Sequence, residues 1–218
     1  MIEKSRYLKA YFSLSQPFEK VEKRYSSLIL ALKNARLITN RDVNKGKVSF
    51  KIKAPLAPSN LGGAILYLIV LELIGVCFKR INKKKEKGNP IYLALRNFSS
   101  LSINQSKSIE ALRHSFAHSY GLININKNKK NIIVQELTHH FSLTADPKGK
   151  LINERNQFWD GLLETRNKNN VTEVNLWKLG DLVESVFETL LAENNKENVD
   201  LILPKYMEEL KAKYTVIL

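Results

Sequence analysis

Apolar positions along the chain change their period several times, and the changes mark out its elements. Between residues 17 and 38, Phe18, Val21, Tyr25, Leu28, Ile29 and Leu32 fall at helical spacing behind Pro17, which suits a first helical turn, so a long amphipathic helix is predicted. After the turn signal Asn44-Lys45-Gly46, Val48, Phe50 and Ile52 alternate with Ser49, Lys51 and Lys53, the pattern of a short strand with a basic outer face. Pro55 and Pro58 end it. Leu61 to Phe78 is the most apolar run, with Glu72 as its single charge. It is just long enough to span a bilayer, but a carboxylate near its middle is costly in lipid, and no second span accompanies it. A central bundle helix buried on most sides is the better reading, with Glu72 turned outward or paired with a cation.

Asn89-Pro90 marks a turn, and Ile91 to Phe98 reads as a short helix. Ile109, Leu112 and Phe116 then give the i, i+3, i+7 face of another, with Ser106 or Ser108 as N-cap and Gly121 to end it. Beyond Gly121 the period drops to two: Leu122 to Asn126 alternates, Lys127 to Asn131 forms a polar tip, and Ile132 to Leu137 returns, a β-hairpin continuing through Phe141 and Leu143 to Asp146-Pro147. Phe158 to Leu163 carries a weaker helical pattern. Asn175 can cap a strong helix with Leu176, Leu179, Val183, Val186, Phe187 and Leu190 on its apolar face, and Leu201 to Leu210 gives a last short helix. These elements fit a single, mainly α domain over 1–218, with a β-hairpin insertion at about 121–145 and a helical C-terminal part at about 150–218.

Composition narrows the class of protein. A hydrophobic content of 44% with 26% charged residues describes a globular chain, and the lone Cys77 excludes an intrachain disulfide framework and a cysteine-based zinc site. A secretory signal is not expected at the N-terminus, and the cytoplasm is the expected compartment. The net charge of +14 is unevenly spread: residues 1–150 hold 27 Lys and Arg against 9 Asp and Glu, and residues 151–218 hold 8 against 12. A basic field of that kind attracts polyanions, most commonly nucleic acid.

Chemistry-bearing side chains concentrate in Ala111-Leu112-Arg113-His114-Ser115-Phe116-Ala117-His118-Ser119-Tyr120-Gly121. On one helix Arg113 and His118 stand about 140° apart, so a straight helix does not bring them together by itself. The helix end or a second copy from a partner chain must complete a shared site. His114 and His118 are i, i+4 and could hold zinc with His139 and His140, but no acidic residue flanks the pair and Arg113 would repel a cation.

An Arg, four residues beginning with a polar one, a His, one residue and a Tyr resembles the R-x(4-6)-H motif of HEPN domains, in the extended form found in HEPN toxins. The resemblance covers Arg113 to Tyr120. It implies a HEPN-like helical bundle and a homodimeric, metal-independent endoribonuclease of toxin or antiviral-defence type, with no cofactor. On that reading His118 does general acid/base work with His114 beside it, Arg113 stabilises phosphate charge, and Ser115 and Tyr120 orient the substrate. Lys79, Arg80, Lys83, Lys84 and Lys85 supply a basic track for RNA. The extended motif also implies a possible antitoxin or nucleotidyltransferase partner that modifies Tyr120. A non-catalytic HEPN module that binds RNA or protein is the alternative.

Overall fold

A computed structural model describes residues 2–14, 17–18, 23–48, 59–83, 86–119 and 121–217. The first helices are α1 (Ile2–Tyr11), α2 (Ser27–Ile38), α3 (Leu61–Cys77), α4 (Pro90–Phe98) and α5 (Ile103–Ser119). A four-stranded sheet follows, built from β3 (Ile123–Asn124), β4 (His139–Thr144), β5 (Ile152–Asn153) and β6 (Val171–Asn175), and then α6 (Leu176–Asn195) and α7 (Tyr206–Lys213). Two small antiparallel pairs clip distant parts together: β1 (Arg24–Ser26) with β8 (Thr215–Ile217), and β2 (Phe78–Arg80) with β7 (Val199–Leu201). The fold is thus mixed, mostly helical with short sheets.

At the centre lies α3, packed against α2, α4 and α6. Asn60 caps it, its Oδ1 accepting from Gly63 N at 3.1 Å. Tyr67, Leu68, Val70, Leu71 and Ile74 are buried, which explains an apolar run with almost no polar face. Among the described residues no helix is long and apolar enough to cross a membrane. Gly75 sets the spacing to α4: a methyl group there would collide with the carbonyl oxygen of Pro90. That close approach brings the start of α4 against the second half of α3.

A buried ion pair ties α2, α3 and α6. Arg36 Nη2 donates to Glu184 Oε2 at 2.7 Å, Tyr67 OH donates to Glu184 Oε1 at 2.8 Å, and Arg36 Nη1 reaches Val43 O at 2.9 Å. Each oxygen of the carboxylate has a donor, as a buried charge requires. Cys77 is buried in the same core, and burial pushes its thiol up to about 12.

Several expected elements differ. The helix expected over 17–38 starts only at Ser27, because Arg24–Ser26 pairs with the C-terminal strand and Ser26 Oγ accepts from Ile29 N; Pro17 is not in a helix. The strand expected at Val48, Phe50 and Ile52 lies largely outside the described residues, and Val48 forms a single bridge to Arg41. The β segment after α5 is wider than a hairpin: β4 pairs antiparallel with β3 but parallel with β6, in the order β3-β4-β6-β5. Residues 152–175 therefore belong to this sheet and its loops, where a helical part was expected. Phe158 to Leu163 is irregular up to a 3₁₀ turn at Leu163–Thr165, because Gly161 adopts φ +87° and buried Trp159 bonds the carbonyl of Leu162. α4 and α6 stand where their periodicity places them, α6 on its Asn175 cap, and α7 begins after a short strand.

Candidate active site

The motif helix α5 starts on a capping box. Ser102 Oγ accepts from Gln105 N at 3.1 Å and Gln105 Oε1 accepts from Ser102 N at 3.2 Å. Ser106 and Ser108, expected as caps, are buried within the helix. The inner face of α5 buries Ile109, Ala111, Leu112 and Phe116, leaving Glu110, Arg113, His114 and Ala117 on the outer stripe.

Arg113 meets Glu72 of α3. Its Nε donates to Oε2 at 3.0 Å, and its Nη2 lies 3.0 Å from Oε1 and 2.7 Å from Oε2. The two side chains keep 29% and 31% of their surface exposed, so the pair sits at an edge that solvent and ligands can reach. Nη1 takes no part in it. The sequence left Glu72 either turned outward or paired with a cation, and the structure shows the pair, with Arg113 as the cation.

Beside this pair, His114 Nε2 lies 3.2 Å from Asn89 Nδ2. Asn89 Oδ1 is committed to the cap of α4, accepting from Tyr92 N at 3.0 Å, so its amide N–H faces the ring. In this contact His114 Nε2 is the accepting side. Glu72, Asn89, Pro90, Ile91, Arg113 and His114 enclose a cleft of about 70 Å³. Glu110, one turn before Arg113, is half-buried, and burial raises its carboxyl above the usual range while Lys107 opposes the shift. Neither Asn89 nor Glu110 carries a sequence signal that separates it from an ordinary cap or surface carboxylate.

His118 occupies the last turn of α5, one turn beyond His114; its side chain, together with Tyr120, Lys84 and Lys85, lies outside the described residues. Ser115 turns into the core, its Oγ donating to Leu112 O at 2.7 Å. Lys79, Arg80 and Lys83 line a separate cleft on the far part of α4. There Arg80 pairs with Glu193 at 3.0 Å, and Lys83 Nζ donates to the carbonyl of Arg96.

His139 and His140 belong to β4 and not to this site. His139 is buried, with Nε2 donating to Glu136 O at 3.0 Å and Nδ1 accepting from Thr172 Oγ1 at 2.9 Å. Burial, followed by the charge of Arg155, pulls its pKa down to about 4. Among the described residues no three His, Cys, Asp or Glu side chains are grouped to hold a metal ion.

No protein-family model, no curated protein and no solved structure matches the chain.

Proposed function

We propose that the protein is a metal-independent endoribonuclease of HEPN type, acting as a homodimer in toxin action or antiviral defence. One observation carries the reading: Arg113, the motif arginine, is presented at a solvent-accessible edge with its plane fixed by Glu72, on the helix that also carries His114 and His118. A guanidinium held this way has its entropy of orientation already restricted and can meet phosphate oxygens through Nη1. RNA carries its own nucleophile. A histidine takes the proton of the 2′-hydroxyl, the oxygen attacks the adjacent phosphorus, the 5′-oxygen leaves with a proton from a second acid, and Arg113 balances the charge that builds on the phosphorane. His118 is the leading general acid/base, with His114 beside it.

A second copy supplies what one helix cannot bring together. Support comes from the outer stripe of α3, where Leu61 and Ile69 are 44% and 38% exposed and half-buried Ile65, Leu73 and Val76 continue the line past Glu72. Such an apolar strip beside the motif suits a two-fold interface that faces two motifs toward each other. The test is cleavage of RNA by purified protein: Arg113→Ala and His118→Ala each abolish it with the fold intact, chelator leaves it unchanged, and the products end in 2′,3′-cyclic phosphate. Wild-type dimer that cuts no RNA would sink the proposal.

The non-catalytic RNA-binding module has one observation in its favour. Glu72 already compensates the charge of Arg113 and engages two of its nitrogens. On that reading Arg113→Ala leaves RNA affinity unchanged and there is no cleavage to lose.

A further inference from the structure

The cleft lined by Lys79, Arg80 and Lys83 has a volume of about 510 Å³, against about 70 Å³ beside Arg113. That is within the range of small-ligand sites. Its lining mixes basic, acidic and apolar side chains. Lys79, Arg80 and Lys83 line it with Asn97 of α4, Glu86 and Asp200, and Ile202, Leu203, Pro204 and Tyr206 complete the lining. Tyr206 is 58% exposed and Ile202 38%. The cleft thus sets a largely exposed aromatic side chain, able to offer a stacking face, on the same lining as two lysines. The backbone of Tyr206 is fixed, with φ +46° and its N–H donating to Leu203 O at 3.1 Å.

The acidic residues nearby are already engaged. Glu86 accepts from Arg96 at 3.1 Å and from Tyr92 OH at 2.9 Å, and Asp200 is shared by Lys4 and Lys79. Lys83 stands against Arg80 and Arg96; burial first, and then those two cations, lower its pKa, with Glu86 opposing. An anion arriving at Lys83 would relieve that repulsion.

This cleft and the one at Arg113 are separate, but both are lined by residues of α4. Pro90 lines the pocket at Arg113, and Leu93 and Asn97 line this one. Positions 90, 93 and 97 form one stripe of α4, about 10 Å long. A strand lying along that stripe can touch both places.

We propose that this cleft is a nucleotide subsite, taking one unpaired nucleotide of the RNA strand whose scissile phosphate lies at Arg113: its base stacks on Tyr206 beside Ile202, and its phosphate sits on Lys83 and Lys79. The proposal rests on the ribonuclease reading above and deepens it by naming the substrate class. A base held in a duplex presents no open face to a tyrosine ring, so the substrate is single-stranded at this position.

Binding of a short 2′-O-methyl oligonucleotide, which cannot be cleaved by its own 2′-oxygen, tests this by fluorescence anisotropy. The single strand is expected to bind roughly tenfold more tightly than the same sequence in a duplex, with Tyr206→Ala losing about tenfold and Tyr206→Phe retaining affinity. Lys83→Gln should flatten the dependence of log K on log salt by about 0.7. Equal binding of single strand and duplex, or wild-type affinity in Tyr206→Ala, overturns the subsite. Tyr206-dependent binding of AMP with an oligonucleotide indifferent to Tyr206 also overturns it, in favour of a free nucleotide ligand. The two failures are separable: RNA cleavage with Tyr206-independent binding removes the subsite and leaves the nuclease, while Tyr206-dependent binding without cleavage removes the nuclease and leaves the subsite.

Discussion

Arg113 and Glu72 meet edge to edge, guanidinium Nε and Nη2 against both carboxylate oxygens at 2.7 to 3.0 Å, across 41 residues of sequence. A pair this exposed adds little to stability, at most about 1 kcal/mol. Its effect is on geometry, since it fixes the plane in which Arg113 can offer its remaining edge. Glu72→Gln should therefore slow RNA cleavage roughly 10- to 100-fold, the scale of a misplaced catalytic group. The melting temperature should move by no more than about 2 to 4 °C. Arg113→Lys should be as damaging as alanine, because an ammonium cannot hold Glu72 and a phosphate in two fixed directions. Unimpaired cleavage in Glu72→Gln would show that Arg113 needs no positioning.

The site also depends on a contact with no polar chemistry. Gly75 lets α3 approach the carbonyl of Pro90, one residue from the Asn89 that bonds His114. Gly75→Ala must push the two helices apart, an overpacking expected to cost about 1 to 3 kcal/mol. Thermal unfolding should show the loss, and cleavage should fall more than the loss of folded protein explains, because Asn89 moves with α4. A variant as stable as wild type would mean that the helices slide without strain.

Periodicity and capping made α3, α4 and α6 legible, since each carries its own apolar face or buried run and a side chain that closes its first turn. The same rules failed where a distant partner decides. Residues 24–26 continue a helical pattern, yet they are a strand because 215–217 lies beside them, and nothing local encodes that pairing. The parallel pairing of β4 with β6 is equally remote, so the sheet looked like an isolated hairpin. At Phe158 to Leu163 the apolar spacing is helical but Gly161 breaks the chain with positive φ, leaving Phe158, Leu162 and Leu163 exposed. In the candidate site, Arg113 and His114 stood out by residue type and spacing. Glu72 stood out as the one charge of its apolar run but its partner did not, and Asn89 read only as a turn residue, because their contacts to α5 exist only once three helices are packed.

His139 gives the fold a pH response that is separate from the candidate site. Its pKa is about 4 in the folded chain against an ordinary 6.5, because burial penalises the imidazolium and Arg155 repels it. Between those values the unfolded chain takes up a proton that the native state refuses, so stability rises with pH across this window and is fully present above it. From pH 7 to pH 5 the loss from this one group should be about 2 kcal/mol. His140 is lowered too, by burial and then Arg166, and contributes in the same direction. Urea unfolding at the two pH values should show the difference, and His139→Gln should shrink it. An unchanged difference in His139→Gln would place the pH response on other groups.

The homodimer is best tested by asking whether two dead chains repair each other. On α5, Arg113 and His118 are five positions apart, about 140° around the axis and about 7.5 Å along it, so their backbones present them to different directions. If one site takes Arg113 from one protomer and His118 from the other, a mixed dimer of Arg113→Ala and His118→Ala chains holds one complete set, while each parent homodimer holds none. Mixing the two inactive proteins should then restore part of the cleavage, with 2′,3′-cyclic phosphate ends. Restoration should require subunit exchange through the outer stripe of α3, whose Ile69 is 38% exposed. Ile69→Asp buries an unpaired carboxylate in such an interface, so it should yield monomers by light scattering and abolish the repair. A mixture that stays inactive although mixed dimers are verified would mean that arginine and histidine must come from the same chain. Repair that survives in Ile69→Asp monomers would remove α3 from the interface.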